Sequence, residues 1–256
     1  MKAEPNPDAE RVQTLGSRAV EILPGVHRIG PDQNGYTLGG YSQAYLFDDG
    51  ASLVLVDTGY EQDANGILKY LWSIGRSPNA LTDIAITHAH RSHLGGLAML
   101  KQLAPNVTVH SHVWESDIVD GGRVSQPVPL KPLFPLKLYP LRILQLLGVP
   151  KHVPCPVDHH IDEGDRIGPL EVLHTPGHTP GCVCFYWRER GIVAVGDAIL
   201  TWPKLGGGWP GFNLDERRYQ RSLRRLVDLE PVVVCPGHGP EIKENTAALI
   251  RTLPSS

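Results

Sequence analysis

The sequence predicts a layered α/β fold in which two β-sheets face each other and helices cover their outer sides. Two observations predict it. Strand-like apolar runs and helix-period segments alternate between residues 44 and 119, and a second set does the same from 169 to 251. No short-period repeat interrupts them. At 256 residues the chain is long enough to bury a sizeable core as one domain. We expect a flexible N-terminal segment at 1–17 and a single domain over 18–256.

The elements follow in order. "AVEILPGVHRIG" reads as two short strands around the turn dipeptide Pro24-Gly25. "YSQAYLFDDGASLVLVDTG" continues as a hairpin, with Tyr45 to Phe47 before the turn Asp49-Gly50 and the apolar run Leu53 to Val56 after it. Ile67, Leu71 and Ile74 recur at helical spacing, which predicts a helix over 61–75. A strand at 83–87, a helix at 94–103, a strand at 107–110 and a helix at 112–119 come next. Strands return with "LEVLHT", "CVCFYW" and "IVAVGD". A helix at 215–229, the strand "VVVCP" and a helix at 241–251 complete the set.

One stretch departs from this alternation. Residues 126–156, "QPVPLKPLFPLKLYPLRILQLLGVPKHVPCP", are rich in proline and leucine, and proline at this density defeats helix and sheet ladders. The segment reads as an insertion packed on the body; a lid, an apolar wall over a site and a dimer contact are the functional alternatives.

Composition narrows the function classes. The apolar fraction of 41% and charged fraction of 20% fit an ordinary globular protein. A net charge of −3 gives no reason to expect nucleic acid as a partner. No segment approaches the roughly 18–20 apolar residues that span a bilayer, and the polar N-terminus lacks a signal-peptide core. The four cysteines do not form a dense framework, and Cys182 and Cys184 are poorly placed to bridge one another. Free thiols in a reducing cytoplasm are the expectation.

Chemistry concentrates in the histidines. "ITHAHRSHLGG" packs His88, His90 and His93 into six positions directly after an apolar strand. His88 and His90 alternate on an extended segment, so both imidazoles can point the same way, while His93 approaches from the turn into a helix. Such a cluster points to a metal. Downstream, "HTPGHTPG" offers His174 and His178, "VAVGDAIL" puts Asp197 at the end of a buried strand, and "CPGHGP" places His238 in a glycine-lined loop. An unpaired carboxylate at the position of Asp197 would be costly, so its neighbours give it meaning.

Together these motifs resemble the metallo-β-lactamase fold superfamily of metal-dependent hydrolases, over nearly the whole of residues 20–245. The resemblance implies an αβ/βα sandwich of four layers with a metal site at one edge. It also implies that His88, His90 and His178 hold a first metal, that Asp197 bridges, and that His93 and His238 hold a second. Asp57, in "VDTG", matches a position that orients a metal-binding histidine. His174 matches no ligand and is expected either to be structural or to support a ligand from behind.

The departure is Ser92. The family pattern is His-any-His-any-Asp-His, and its aspartate binds the second metal and orients the attacking water. A serine hydroxyl is neutral and a poorer ligand. Asp197 and a hydroxide would neutralise only half the charge of two divalent ions. The expectation is one firmly bound Zn²⁺ and a second ion that is weak or absent, with iron as the alternative metal. The implied function is a zinc-dependent hydrolase of an ester, thioester, lactone or amide in a small-molecule substrate, with Asp57, Ser92 and Asp197 contributing to catalysis. A metal-binding protein with little catalysis and an iron-dependent sulfur oxygenase of the same fold are the alternatives.

Other candidates are bland. His110 and His112 read as strand-end residues or pocket lining, and His159-His160 as a solvated loop. The arginines of "DERRYQRSLRRL" are expected to face solvent. The "GGGWPG" loop is either a connection or a means of bringing Trp202 or Trp209 to the pocket mouth.

Overall fold

The computed structural model describes residues 19–30, 42–124, 143, 151–202, 204–208 and 211–253. The expected flexible segment 1–17, nearly all of the proline–leucine stretch before residue 151, and Trp209 lie outside the described residues.

The first sheet holds β1 (Ala19–Leu23), β2 (Val26–Ile29), β3 (Ala44–Asp48), β4 (Leu53–Val56), β5 (Asp83–Ala85), β6 (Thr108–His112) and β7 (His159–Ile161), side by side in chain order. β1 to β4 are antiparallel, and β4 to β7 run parallel. The second sheet has the order β12-β11-β10-β9-β8, built from β8 (Arg166–Ile167), β9 (Leu170–His174), β10 (Val183–Trp187), β11 (Ile192–Gly196) and β12 (Val233–Pro236). The α-helices whose full extent lies among the described residues are α1 (Asp63–Ser73), α2 (Arg91–Leu94), α3 (Leu97–Leu103), α4 (Val113–Val119), α5 (Glu216–Asp228) and α6 (Thr246–Ile250).

Period-2 alternation divides the apolar side chains into three cores. Leu46, Leu53 and Leu55 face outward and pack with Ile67 and Leu71 of α1 and Leu97 and Leu100 of α3. Their neighbours Tyr45, Phe47, Val54 and Val56 face inward and meet Val183, Phe185, Ile192 and Ala194 of the second sheet. Cys184, Tyr186, Val193 and Val195 point to the far side and pack under Tyr219, Leu223 and Leu226 of α5. Helix, sheet, sheet, helix is therefore the layering, as expected. Each fully buried Leu, Ile or Phe in these interfaces contributes about 1.5–3 kcal/mol relative to exposure.

Three local expectations are corrected. The helix predicted over 94–103 is two helices, α2 and α3, separated by Gly95-Gly96. The break lets the chain press on the segment leading into α1: a Cβ on Gly95 would lie 2.8 Å from Glu61 N, and one on Gly96 2.7 Å from Thr58 O. The last helix starts at Thr246 rather than 241, because Ile242 pairs antiparallel with Val234 and Asn245 adopts a left-handed φ of 52°. His159-His160 is not a loop: it forms the edge strand β7, in parallel register with His110 and Ser111. The arginines of α5 are exposed, as read from the sequence.

Candidate metal centre

The histidine cluster sits just beyond β5, where the chain stays extended through His90 and then turns into α2. His178 lies in the turn between β9 and β10, Asp197 directly after β11, and His238 directly after β12. Two sheets thus deliver their strand ends to one edge. His88, His93, His178, Asp197 and His238 are buried there, and His90 is half-buried.

Two groups of donor atoms form. His88, His90, His178 and Asp197 make the first, and His93, Asp197 and His238 the second; within each group the atoms lie within 4.8 Å of one another. In the first group His90 Nδ1 is 2.8 Å from His88 Nε2 and 3.0 Å from His178 Nε2. Asp197 reaches both: Oδ2 is 3.3 Å from His178 Nε2, and Oδ1 is 3.1 Å from His93 Nε2 and 3.3 Å from His238 Nε2. Ser92 is half-buried on α2 between Arg91 and His93.

Thr87 and Asp57 organise this edge from below. Asp57 has a left-handed φ of 59°, a backbone state that costs a non-glycine residue energy and recurs at functional sites. That geometry lets Oδ1 accept from Thr87 N at 2.8 Å and brings Oδ2 2.7 Å from His93 Nδ1. The Thr87 hydroxyl donates to Asp57 and lies 3.1 Å from His88 Nδ1.

Electrostatics sort the imidazoles. Burial and the neighbouring imidazoles of His93 and His90 hold His88 well below the usual histidine range. Burial and the adjacent His178 push His90 down to about 3. Burial also disfavours a charged His93, but Asp57 and Asp197 outweigh it, and His93 is pushed up to about 10. For Asp197 burial opposes ionisation, while His238 and His93 overcome it and hold the carboxyl well below its usual range. His88 and His90 therefore present neutral imidazoles beside an ionised Asp197 carboxylate, the form that binds a metal.

The residues fit a cation on independent grounds. His90 Nδ1 lies within 3.0 Å of two other imidazole nitrogens, yet it carries one lone pair or one proton and can make only one good hydrogen bond. His93 Nε2 and Asp197 Oδ1 are buried without a hydrogen bond of good geometry among the described residues, despite their closeness. A Cβ on Gly237 would fall 2.6 Å from His93 Cε1 and 3.1 Å from Asp197 Oδ1, so a glycine is required beside the second group.

A third gathering of His112, Asp162 and His174 lies apart. The imidazoles of His112 and His174 stack at 4.5 Å with an interplanar angle of 16°. His112 Nδ1 accepts from Trp114 N, which puts the ring proton on Nε2, the atom facing Asp162. That tautomer caps α4 and leaves no His112 lone pair for an ion. His174 donates from Nε2 to Pro180 O and braces its turn, consistent with a structural role. Trp202 lies beside the His238 loop, its backbone N–H donating to His238 O.

The structure gathers His88, His90, His178 and Asp197 in one group and His93, Asp197 and His238 in the other, and sets the Asp57 carboxylate against His93, a histidine that the sequence did not single out for it. Sequence reasoning missed Thr87 and Glu115. Thr87 immediately precedes the histidine cluster, which was the available signal; Glu115 has none short of the folded geometry.

The model of the Metallo-beta-lactamase superfamily matches residues 37–238. The chain belongs to the metallo-beta-lactamase superfamily. Among its relatives in that superfamily is a Drosophila melanogaster beta-lactamase-like protein 2 homolog, 30% identical over 91% of this chain and 68% of that protein. The probable metallo-hydrolase YqgX of Bacillus subtilis is 28% identical over 83% of this chain and 88% of its own length. A similar solved structure is TTHA1623 in a di-iron-bound form, with 29% identity, a TM-score of 0.60, and coverage of 84% of this chain and 95% of that one. Superfamily membership, the sandwich layering and the two His/Asp groups agree with one another. Among the described residues no helix is long and apolar enough to cross a membrane.

Proposed function

We propose that the chain is a metal-dependent hydrolase acting on the carbonyl of a small-molecule ester, thioester, lactone or amide, with one firmly held Zn²⁺ and a weaker second ion. The observation that carries this reading is the buried convergence of His88, His90 and His178 on Asp197, beside the sparser group of His93, Asp197 and His238. His88, His90 and His178 with a share of Asp197 hold the first ion; His93 and His238 with the rest of Asp197 hold the second. Neutral imidazoles with one carboxylate suit Zn²⁺. When bound, such a cation supplies Lewis acidity, lowering the pKa of water and polarising a carbonyl.

The chain's own residues do the rest. Burial keeps His88 and His90 unprotonated. Asp57 holds the Nδ1 side of His93 and turns Nε2 toward Asp197. Ser92 contributes a hydroxyl that can hydrogen-bond a water but brings no charge to the second group. Among the described residues all four cysteines are free and buried, compatible with a reducing cytoplasm.

Iron is the second reading for the metal, favoured by the di-iron form of TTHA1623. Elemental analysis of protein purified without chelators separates the two metals. Zinc-loaded protein is expected to turn over at least one class in a panel of esters, thioesters, lactones and β-lactams. A metal-loaded protein inert across the panel would remove the hydrolase claim. Ser92→Asp then discriminates: a large gain in turnover and second-ion occupancy marks a weakened hydrolase, and no gain marks a site adapted to something else.

A further inference from the structure

The first ligand group is assembled from segments far apart in the chain, with His178 coming 88 positions after His90. Something must fix the distance between them, and the local sequence of neither segment does so. Glu115, in the first turn of α4, is buried between the two. Its Oε2 accepts from Ala89 N at 3.0 Å, and Ala89 lies between His88 and His90. Its Oε1 accepts from Gly181 N at 2.9 Å, in the turn that carries His178. Among the described residues no cation pairs with this carboxylate. It sits inside the protein with two backbone amides as its partners, an expensive placement unless both bonds form.

The approach is tight. A Cβ on Gly181 would lie 2.8 Å from Glu115 Cγ and 2.8 Å from Trp114 Cβ, so the turn reaches the carboxylate only because residue 181 is glycine. The backbone also bonds across the sheets nearby, from Val183 N to Thr87 O at 2.9 Å. That bond lies beneath the ligands, whereas Glu115 spans the two ligand-bearing segments themselves.

We propose that Glu115 is a positioning residue: a bidentate acceptor that clamps the His88–His90 segment to the His178 turn and so sets the spacing of the first metal site. The inference rests on the reading of that group as the primary metal site. A carboxylate suits the task because both oxygens accept. A glutamine presents an NH₂ group to one of the two amides, frees that segment, and keeps the side chain's size.

The test uses the full chain as wild type, Glu115→Gln, Glu115→Asp and the control Asp83→Asn, which removes the peripheral carboxylate beside His110. Zinc affinity of the first site is read by competition with a chromophoric chelator, and thermal melting is recorded on metal-free protein. Glu115→Gln is expected to weaken first-site affinity about 10- to 100-fold, the range for residues that hold metal ligands from behind. Glu115→Asp, with both acceptors but a shorter reach, should lie between it and wild type, and Asp83→Asn should match wild type. First-site affinity in Glu115→Gln within twofold of a zinc-binding wild type overturns the proposal. Wild type that takes up no zinc overturns the metal-site reading itself. If the Glu115 variants do not fold, amide hydrogen exchange on metal-free wild type decides: slow exchange at Ala89 and Gly181 is expected, and exchange at loop rates overturns the clamp.

Discussion

Burial, Asp57 and Asp197 act on His93 in opposite senses, and the two carboxylates win, holding its proton up to about 10. His88 and His90, a few residues away, are held neutral. The two groups should therefore respond differently to pH. An ion joining His93 at Nε2 must displace a proton, so second-ion affinity should rise between about pH 6.5 and 10 with release of one proton. His88 and His90 are already neutral over that range and give up no proton to the first ion. Calorimetric titration in buffers of different ionisation enthalpy measures the protons released; equal release at both sites would contradict the assignment. In the metal-free protein the folded-state pKa of His93 lies above the ordinary histidine value of about 6.5. Its contribution to stability is thus full below pH 6.5 and lost as pH rises toward 10. Asp57→Asn keeps the shape, because asparagine tolerates the left-handed backbone there, and removes the charge. We predict a 10- to 100-fold loss of second-ion affinity with first-ion affinity unchanged, read by chelator competition.

At the scale of elements, α5 holds the ligand loops in place. Its capping residue Asp215 donates its N–H to Gly177 O, next to His178, and Gly177 has room for no Cβ, since one would fall 2.2 Å from Tyr219 N. Tyr219 is buried and donates its hydroxyl to Ala198 O at 2.6 Å, adjacent to Asp197. Tyr219→Phe leaves that carbonyl without its partner and should cost about 1–3 kcal/mol by denaturant unfolding. Because the helix still packs through Leu223 and Leu226, metal stoichiometry should survive. A larger loss with metal content abolished would mean that the hydroxyl, rather than the packing, holds the edge together.

The whole molecule closes four layers so that strand ends from both sheets meet at one edge, where a bound ion would tie the halves. Ion binding to the folded state alone at 100 times its dissociation constant adds about 2.7 kcal/mol. For a domain of this size that raises Tm by about 5–10 °C, and excess chelator should reverse it in differential scanning calorimetry. The same scale explains what the sequence made legible. The layers were legible because strand and helix patterns come in two successive sets; that Tyr45 and Phe47 serve one core and Leu46 another emerged only from the fold. The residues of the two groups were legible because they fall in four short motifs, each following a strand. Glu115 was not, because its meaning comes from two backbone amides that only the fold brings to it. His159-His160 was misread because an edge strand is made by its neighbour β6 rather than by apolar alternation of its own. The break at Gly95-Gly96 was hidden for a similar reason: the contact that demands it comes from Thr58 and Glu61.

The central claim is a shared cation at the edge where the sheets meet. Anomalous diffraction from crystals of protein purified without chelators, recorded on either side of the zinc and iron edges, tests it most directly. A peak is expected about 2.0–2.2 Å from the imidazole nitrogens of His88, His90 and His178 and from the Asp197 carboxylate, with a weaker peak or none between His93 and His238. Well-ordered crystals with no peak in the first group, or with metal only at the His112–His174 stack, would contradict it.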